Sequence, residues 1–168
     1  MIGDPSGRST DRKAMAQTEL EKNISGSLLL HCKQNSITLE FPLGIRKSLD
    51  FFFKVKSDRR DMLQPVLLNN LDWYKDMGVV EYLSKVCSGF RVSSMLARDS
   101  VKSRIESANG ISLSEFCYQT LQGYDFKILH QNHDCTVQIG GSDQWGNMTA
   151  GLGLMKDDAF VMTGHLLF

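Results

Sequence analysis

Tyr118, Gln122 and Asp125 stand at i, i+4 and i+7. That spacing puts a phenol, an amide and a short carboxylate on one face of a helix. A solvated helical face usually carries Lys, Glu and Arg. This stripe instead offers groups able to bond the ammonium, carboxylate or hydroxyl of a small polar ligand. On spacing alone, a ligand site and a solvated polar face stay equally open. A second constellation is GGSDQWGN (140–147), directly after CTVQI (135–139). Paired glycines let a ligand approach the backbone, and ligands of open parallel sheets gather beyond the carboxyl ends of the strands. An Asp in such a turn can accept from a ribose hydroxyl, and helix-start amides favour anions. The string is neither GxGxxG nor a P-loop. Taken alone it reads first as a tight turn, with Ser142 or Asp143 capping the next helix. Gln138, on the same strand face as Thr136, points toward the same pocket.

Three further segments carry polar chemistry. GDPSGR (3–8) is a turn in which Asp4 precedes Pro5 and is held extended. NNLDW (69–73) places adjacent amides, Asn69 and Asn70, at the end of an apolar run. Lys85, Arg91, Arg98, Lys102 and Arg104 face a single acid, Asp99, over residues 85–104. That run suits either a solvated helical face or a surface that contacts phosphates.

The elements that must position these groups alternate between strand and helix. TDRKAMAQTELEKN (10–23) is charged and helix-prone. Residues 24–64 show no clean period. PVLLNN (65–70) suits a buried strand ending at Asn69 and Asn70. Asp72 is expected to cap a helix through about residue 87, with Val79, Val80, Leu83 and Val86 on its buried stripe. Residues 91–106 suit one or two helices, and Asn109-Gly110 marks a break. Ser112 and Glu115 form a capping box. Leu113, Phe116, Cys117, Thr120, Leu121, Tyr124 and Ile128 follow helical spacing toward an end near His133. CTVQI alternates as a strand, and another helix opens near Asn147. Strand, Gly-rich turn, helix is the unit of an α/β fold with a doubly wound parallel sheet.

Composition narrows the class. A chain of 168 residues, 42% hydrophobic and 23% charged, is neither collagen-like nor disordered nor a disulfide scaffold. No apolar run approaches the length that spans a membrane. Cys32, Cys87, Cys117 and Cys135 form no CxxC, and His31, His130, His133 and His165 complete no metal pattern, so free thiols and no metal site are expected. The net charge is zero, yet residues 1–104 carry 17 basic and 12 acidic side chains while residues 105–168 carry 2 and 7. The basic half contains the 85–104 run.

Taken together and in order, GDPSGR (3–8), NNLDWY (69–74), FRVSSMLARDSVKSRIE (90–106), ISLSEFCYQTLQGYDF (111–126) and CTVQIGGSDQWGNMTAG (135–151) resemble tyrosyl-tRNA synthetases of the bacterial and mitochondrial type. The resemblance implies a class I, Rossmann-like catalytic domain with a helical connective insertion. It implies an enzyme that joins L-tyrosine to ATP, carried with Mg2+, and passes the tyrosyl group to tRNA(Tyr). By motif match, Asp4, Tyr118 and Gln122 would hold the tyrosine ammonium, Asp125 would accept from its phenol, and Asn70 and Gln138 would line the pocket. Gly141, Asp143 and Gln144 would contact the ribose or adenylate. Arg98 and Lys102 match positions near the tRNA acceptor end.

The resemblance further implies one partial catalytic domain over 1–168, with 24–64 as an insertion and 88–118 as a homodimer interface. The two motifs that hold the ATP phosphates in this family are not among the 168 residues, so the chain alone is expected to be inactive. No membrane partner is expected, and the mitochondrial matrix, or else a bacterial cytoplasm, is the expected compartment. A non-catalytic RNA-binding or dimerising module derived from the synthetase is the alternative.

Overall fold

The computed structural model describes residues 2–5, 10, 15–25, 28–31, 38–41, 66, 68–155 and 160–164. They fall into two compact units, one over residues 15–69 and the other over residues 2–14 with 70–168. The first unit holds helix α1 (Gln17–Ser25) and an antiparallel pair, β1 (Leu28–His31) with β2 (Thr38–Phe41). The pair's register runs from Leu28 opposite Phe41 to His31 opposite Thr38. These strands fall inside the stretch that showed no clean period.

The second unit is built from helices leading into one βαβ unit. Helices α2 (Leu71–Tyr74), α3 (Val79–Lys85), α4 (Val92–Leu96) and α5 (Asp99–Ile105) come first. They are followed by α6 (Leu113–Phe116), α7 (Tyr118–His133) and α8 (Trp145–Leu152). Strand β3 (Val137–Gly141) pairs in parallel with β4 (Phe160–Gly164), Val137 opposite Phe160 and Gly141 opposite Gly164. Phe126 of α7 and Met155 form the buried core beside Cys135 and Leu152.

Several local expectations hold. Residues 91–106 form two helices, and Gly110 breaks the chain at φ +66, a left-handed value that glycine adopts without steric cost. Ser112 Oγ accepts from the Glu115 amide at 3.3 Å, and α7 ends at Asp134 in the left-handed region. The capping box is only half made, because the Glu115 side chain turns inward to Arg104. On β3, Gln138 and Gly140 are half-buried while Val137 and Ile139 are exposed, so the strand does alternate.

Other expectations fail. Residues 66, 68 and 69 carry no strand, and Val66 is 75% exposed. A short apolar run becomes a strand only when a neighbour supplies its ladder. The single helix from Asp72 to residue 87 is instead two short helices. Gly78 starts the second, and Asn70, not Asp72, stands at the cap of the first. Val79, Val80 and Leu83 lie outside, and only Val86 of that stripe is buried. The inward face of α3 is set by Tyr82 and Val86, one turn apart, because the Tyr82 hydroxyl docks on Thr120 of α7.

The stripe expected on α7 is also displaced. Gln119, Thr120, Gly123 and Phe126 are its most buried residues. The cause is α8, which crosses α7 with glycine against glycine. A Cβ on Gly151 would sit 2.9 Å from Gly123 Cα, and one on Gly123 would sit 2.9 Å from the Phe90 ring. The Gly151 contact is with backbone, and a Cβ on Gly123 would also come within 3.1 Å of Gly151 Cα, so relief requires the two helices to move apart. Gly151→Ala is therefore expected to lower stability by about 1–3 kcal/mol, read as a drop in melting temperature. An unchanged melting temperature would mean the helices have room to part.

Candidate active site

Asp125 sits half-buried on α7 with both carboxylate oxygens engaged by neutral donors. Trp73 Nε1 donates to Oδ1 at 2.8 Å, and Asn70 Nδ2 donates to Oδ2 at 3.1 Å. Both donors come from the first turn of α2, brought to α7 across more than fifty residues of sequence. Each oxygen keeps a further acceptor site, so the carboxylate is fixed in orientation yet able to accept from a ligand hydroxyl. Tyr118 and Gln122 lie half-buried on the same helix.

The aromatic wall beside them is held by the same docking. Tyr74 donates its phenol to the Leu121 carbonyl at 2.9 Å and packs its ring 5.9 Å from that of Tyr124. Burial, reinforced by the Asp125 charge, pushes the Tyr74 phenol far above its ordinary value. Burial likewise pushes Tyr82 up to about 12. Both phenols therefore stay neutral hydrogen-bonding groups throughout the physiological range.

A second cluster forms around Asp4. Gln144 Nε2 donates to Asp4 Oδ2 at 2.7 Å and to Asp143 Oδ2 at 3.0 Å. Asn147 Nδ2 donates to Asp4 Oδ1 at 3.0 Å and to Gln144 Oε1 at 3.3 Å. The GDPSGR segment and the GGSDQWGN turn thus meet, although they are some 140 residues apart. Neither Ser142 nor Asp143 caps α8. Gln144 holds that position, and its side chain makes no capping bond. Nor does Gly140 leave room for a ligand, because a Cβ there would meet Met148 Sδ at 2.9 Å. Its bareness accommodates α8. Gly141, at the end of β3, lies against the Asp143 carboxylate. Gln138 is half-buried, and its Oε1 has no partner among the described residues.

The basic run divides. Arg104 is buried; its Nη2 pairs with Glu115 Oε2 at 2.9 Å and with the Gly110 carbonyl at 3.1 Å. Its Nη1 reaches the Thr10 carbonyl at 3.3 Å. Arg104 is thus a brace and not a phosphate contact. Lys85 pairs with Glu81 at 2.7 Å on the surface, while Arg91 and Lys102 are exposed. Arg98 is half-buried, donates to Thr149 Oγ1, and keeps Nε buried without a partner among the described residues. Burial lowers its pKa from the ordinary guanidinium value. It lines a cleft of about 650 Å³ with Ser94, Ser100, Ser142, Asp143 and Trp145. That cleft places one cation and several hydroxyls beside the Asp143 turn.

Among the described residues no group of His, Cys, Asp and Glu is placed to hold a metal, and none of their helices is long and apolar enough to cross a membrane. Cys87, Cys117 and Cys135 are free thiols. Sequence reading missed Trp73 and Asn147 as site residues. Both sat inside strings already singled out, but no periodicity signals which carboxylate an indole or an amide will meet.

Comparisons with known proteins place the chain in a family. The family model described as tRNA synthetases class I (W and Y) matches residues 1–159. The chain belongs to that family. Its curated relatives include a tyrosine–tRNA ligase of Protochlamydia amoebophila, 40% identical over 93% of this chain and 32% of the relative. They also include the mitochondrial tyrosine–tRNA ligase of Schizosaccharomyces pombe, 43% identical over 92% of this chain and 33% of the relative. A C-terminally truncated mitochondrial tyrosyl-tRNA synthetase of Aspergillus nidulans superposes with a TM-score of 0.66. It is 26% identical over 93% of this chain and 40% of that structure. The resemblance carried by the motif strings is borne out, and the fold is that of a class I synthetase catalytic domain. The chain spans about a third of the length of the curated relatives it matches.

Proposed function

We propose that this chain supplies the tyrosine- and adenylate-binding part of a tyrosine–tRNA ligase. The carboxylate of L-tyrosine attacks the α-phosphorus of ATP, which enters as its Mg2+ complex, and pyrophosphate leaves. A ribose hydroxyl at the 3′ end of tRNA(Tyr) then attacks the tyrosyl carbonyl, and AMP leaves. No side chain becomes covalently attached. The protein contributes positioning and stabilisation of the charge developing on the phosphate.

The observation that carries this reading is Asp125, aimed by Trp73 and Asn70 and so ready to accept from the substrate phenol. Tyr118, Gln122 and Asp4 are assigned to the ammonium, with Gln138 at the pocket wall. Gly141, Asp143 and Gln144 are assigned to the ribose and adenylate. Arg98, and with it Lys102, is assigned to the tRNA acceptor end, where the cleft beside Asp143 would admit it. In this reading the parallel β3–β4 pair belongs to a doubly wound sheet, residues 24–64 are an insertion, and residues 88–118 meet a second copy in a homodimer. The mitochondrial matrix is the favoured compartment, supported by the motif style and by the mitochondrial relative; the bacterial relatives keep a bacterial cytoplasm as the alternative.

The intact protein carrying this chain should exchange pyrophosphate into ATP in the presence of L-tyrosine. Tryptophan and phenylalanine should support little exchange. Exchange driven by tryptophan, or none with any amino acid, would overturn the reading.

A further inference from the structure

We infer that Asn147 is a positioning residue that fixes the Asp4 carboxylate for the substrate ammonium, an inference that rests on the proposed function. Asn147 is 3% exposed and lies in the first turns of α8. Its amide nitrogen has two protons, and the contacts use both. One goes to Asp4 Oδ1 at 3.0 Å and the other to Gln144 Oε1 at 3.3 Å. The second bond decides which way the Gln144 amide faces. With its oxygen held by Asn147, Gln144 must turn its own nitrogen outward, and that nitrogen donates to Asp4 at 2.7 Å and Asp143 at 3.0 Å. Flipping the Gln144 amide would set its oxygen against two carboxylates and its nitrogen against the Asn147 donor, losing the three bonds that Gln144 makes.

Asn147 thereby acts on Asp4 twice, directly on Oδ1 and through Gln144 on Oδ2. Each oxygen accepts from a neutral amide donor, which orients the carboxylate. This is how a shell of supporting residues fixes a binding group within the tolerance a site needs. Because Gln144 also bridges to Asp143, the same amide sets the spacing between the carboxylate assigned to the ammonium and the one assigned to the ribose.

The test separates ammonium recognition from general stability. Binding of L-tyrosine, tyramine and 3-(4-hydroxyphenyl)propionate to the intact protein is measured by calorimetry for the unsubstituted protein, Asn147→Ala and Asn147→Leu. Leucine keeps the bulk of asparagine, so it guards against a cavity effect. Thermal melting is followed in parallel. Both variants should bind L-tyrosine and tyramine about tenfold more weakly and the ammonium-free propionate within twofold of the unsubstituted protein. An equal loss for all three ligands, or no loss for any, would overturn the role of Asn147 while leaving the tyrosine reading intact. Failure of the unsubstituted protein to bind L-tyrosine would overturn the tyrosine reading, and the inference with it.

Discussion

Asp125→Ala in the intact protein should abolish the preference for tyrosine over phenylalanine. A site built to bond a substrate hydroxyl rejects the analogue lacking it by about 10^4–10^5, a range for which tyrosine-specific synthetases are themselves the reference case. The reason is that phenylalanine would leave a partly buried carboxylate unpaired on the side facing the ligand. Removing the carboxylate removes that penalty, and with it the bond that favours tyrosine. The variant should therefore lose tyrosine affinity steeply while its phenylalanine affinity holds or rises. Trp73→Phe should act in the same direction but more weakly, because Asn70 still holds one oxygen of Asp125. Pyrophosphate exchange measured with each amino acid gives the ratio. Unchanged tyrosine affinity in Asp125→Ala would sink the pocket assignment.

Breaking the Arg104–Glu115 pair should cost more stability than any surface change. Both side chains are buried, and their 2.9 Å contact sits beside the Gly110 carbonyl, which also accepts from Arg104. Removing one partner leaves a buried charge without its counter-charge, worth about 3–5 kcal/mol. At about 2–4 °C per kcal/mol for a domain of this size, Arg104→Ala should melt roughly 10 °C lower. The double variant Arg104→Met with Glu115→Leu should recover part of that loss, since it removes both charges and keeps the volume. Calorimetric melting of the three proteins decides it. A single variant as stable as the parent would mean that water reaches the site.

The sequence determined local events, each settled within a few residues. Ser112 had to start a helix because its hydroxyl lies three residues before the Glu115 amide. Gly110 had to break the chain because its backbone is left-handed. Tyr118, Gln122 and Asp125 had to share a helix face because the period of an α-helix puts them there, and the ordered motif strings fixed the family. Three-dimensional docking decided the rest. It set Asp125 against Trp73 and Asn70, drew Arg104 from an apparent phosphate surface into a buried pair, filled the space beside Gly140 with Met148, and gave Asn147 its two acceptors. It also left residues 66, 68 and 69 outside any strand and turned Val79 and Val80 outward. The physical reason is common to all of these. Periodicity records which residues an element presents together, whereas burial and hydrogen-bond partners depend on which neighbour docks, from 11 residues away for Arg104 and Glu115 to 140 for Asp4 and Gln144.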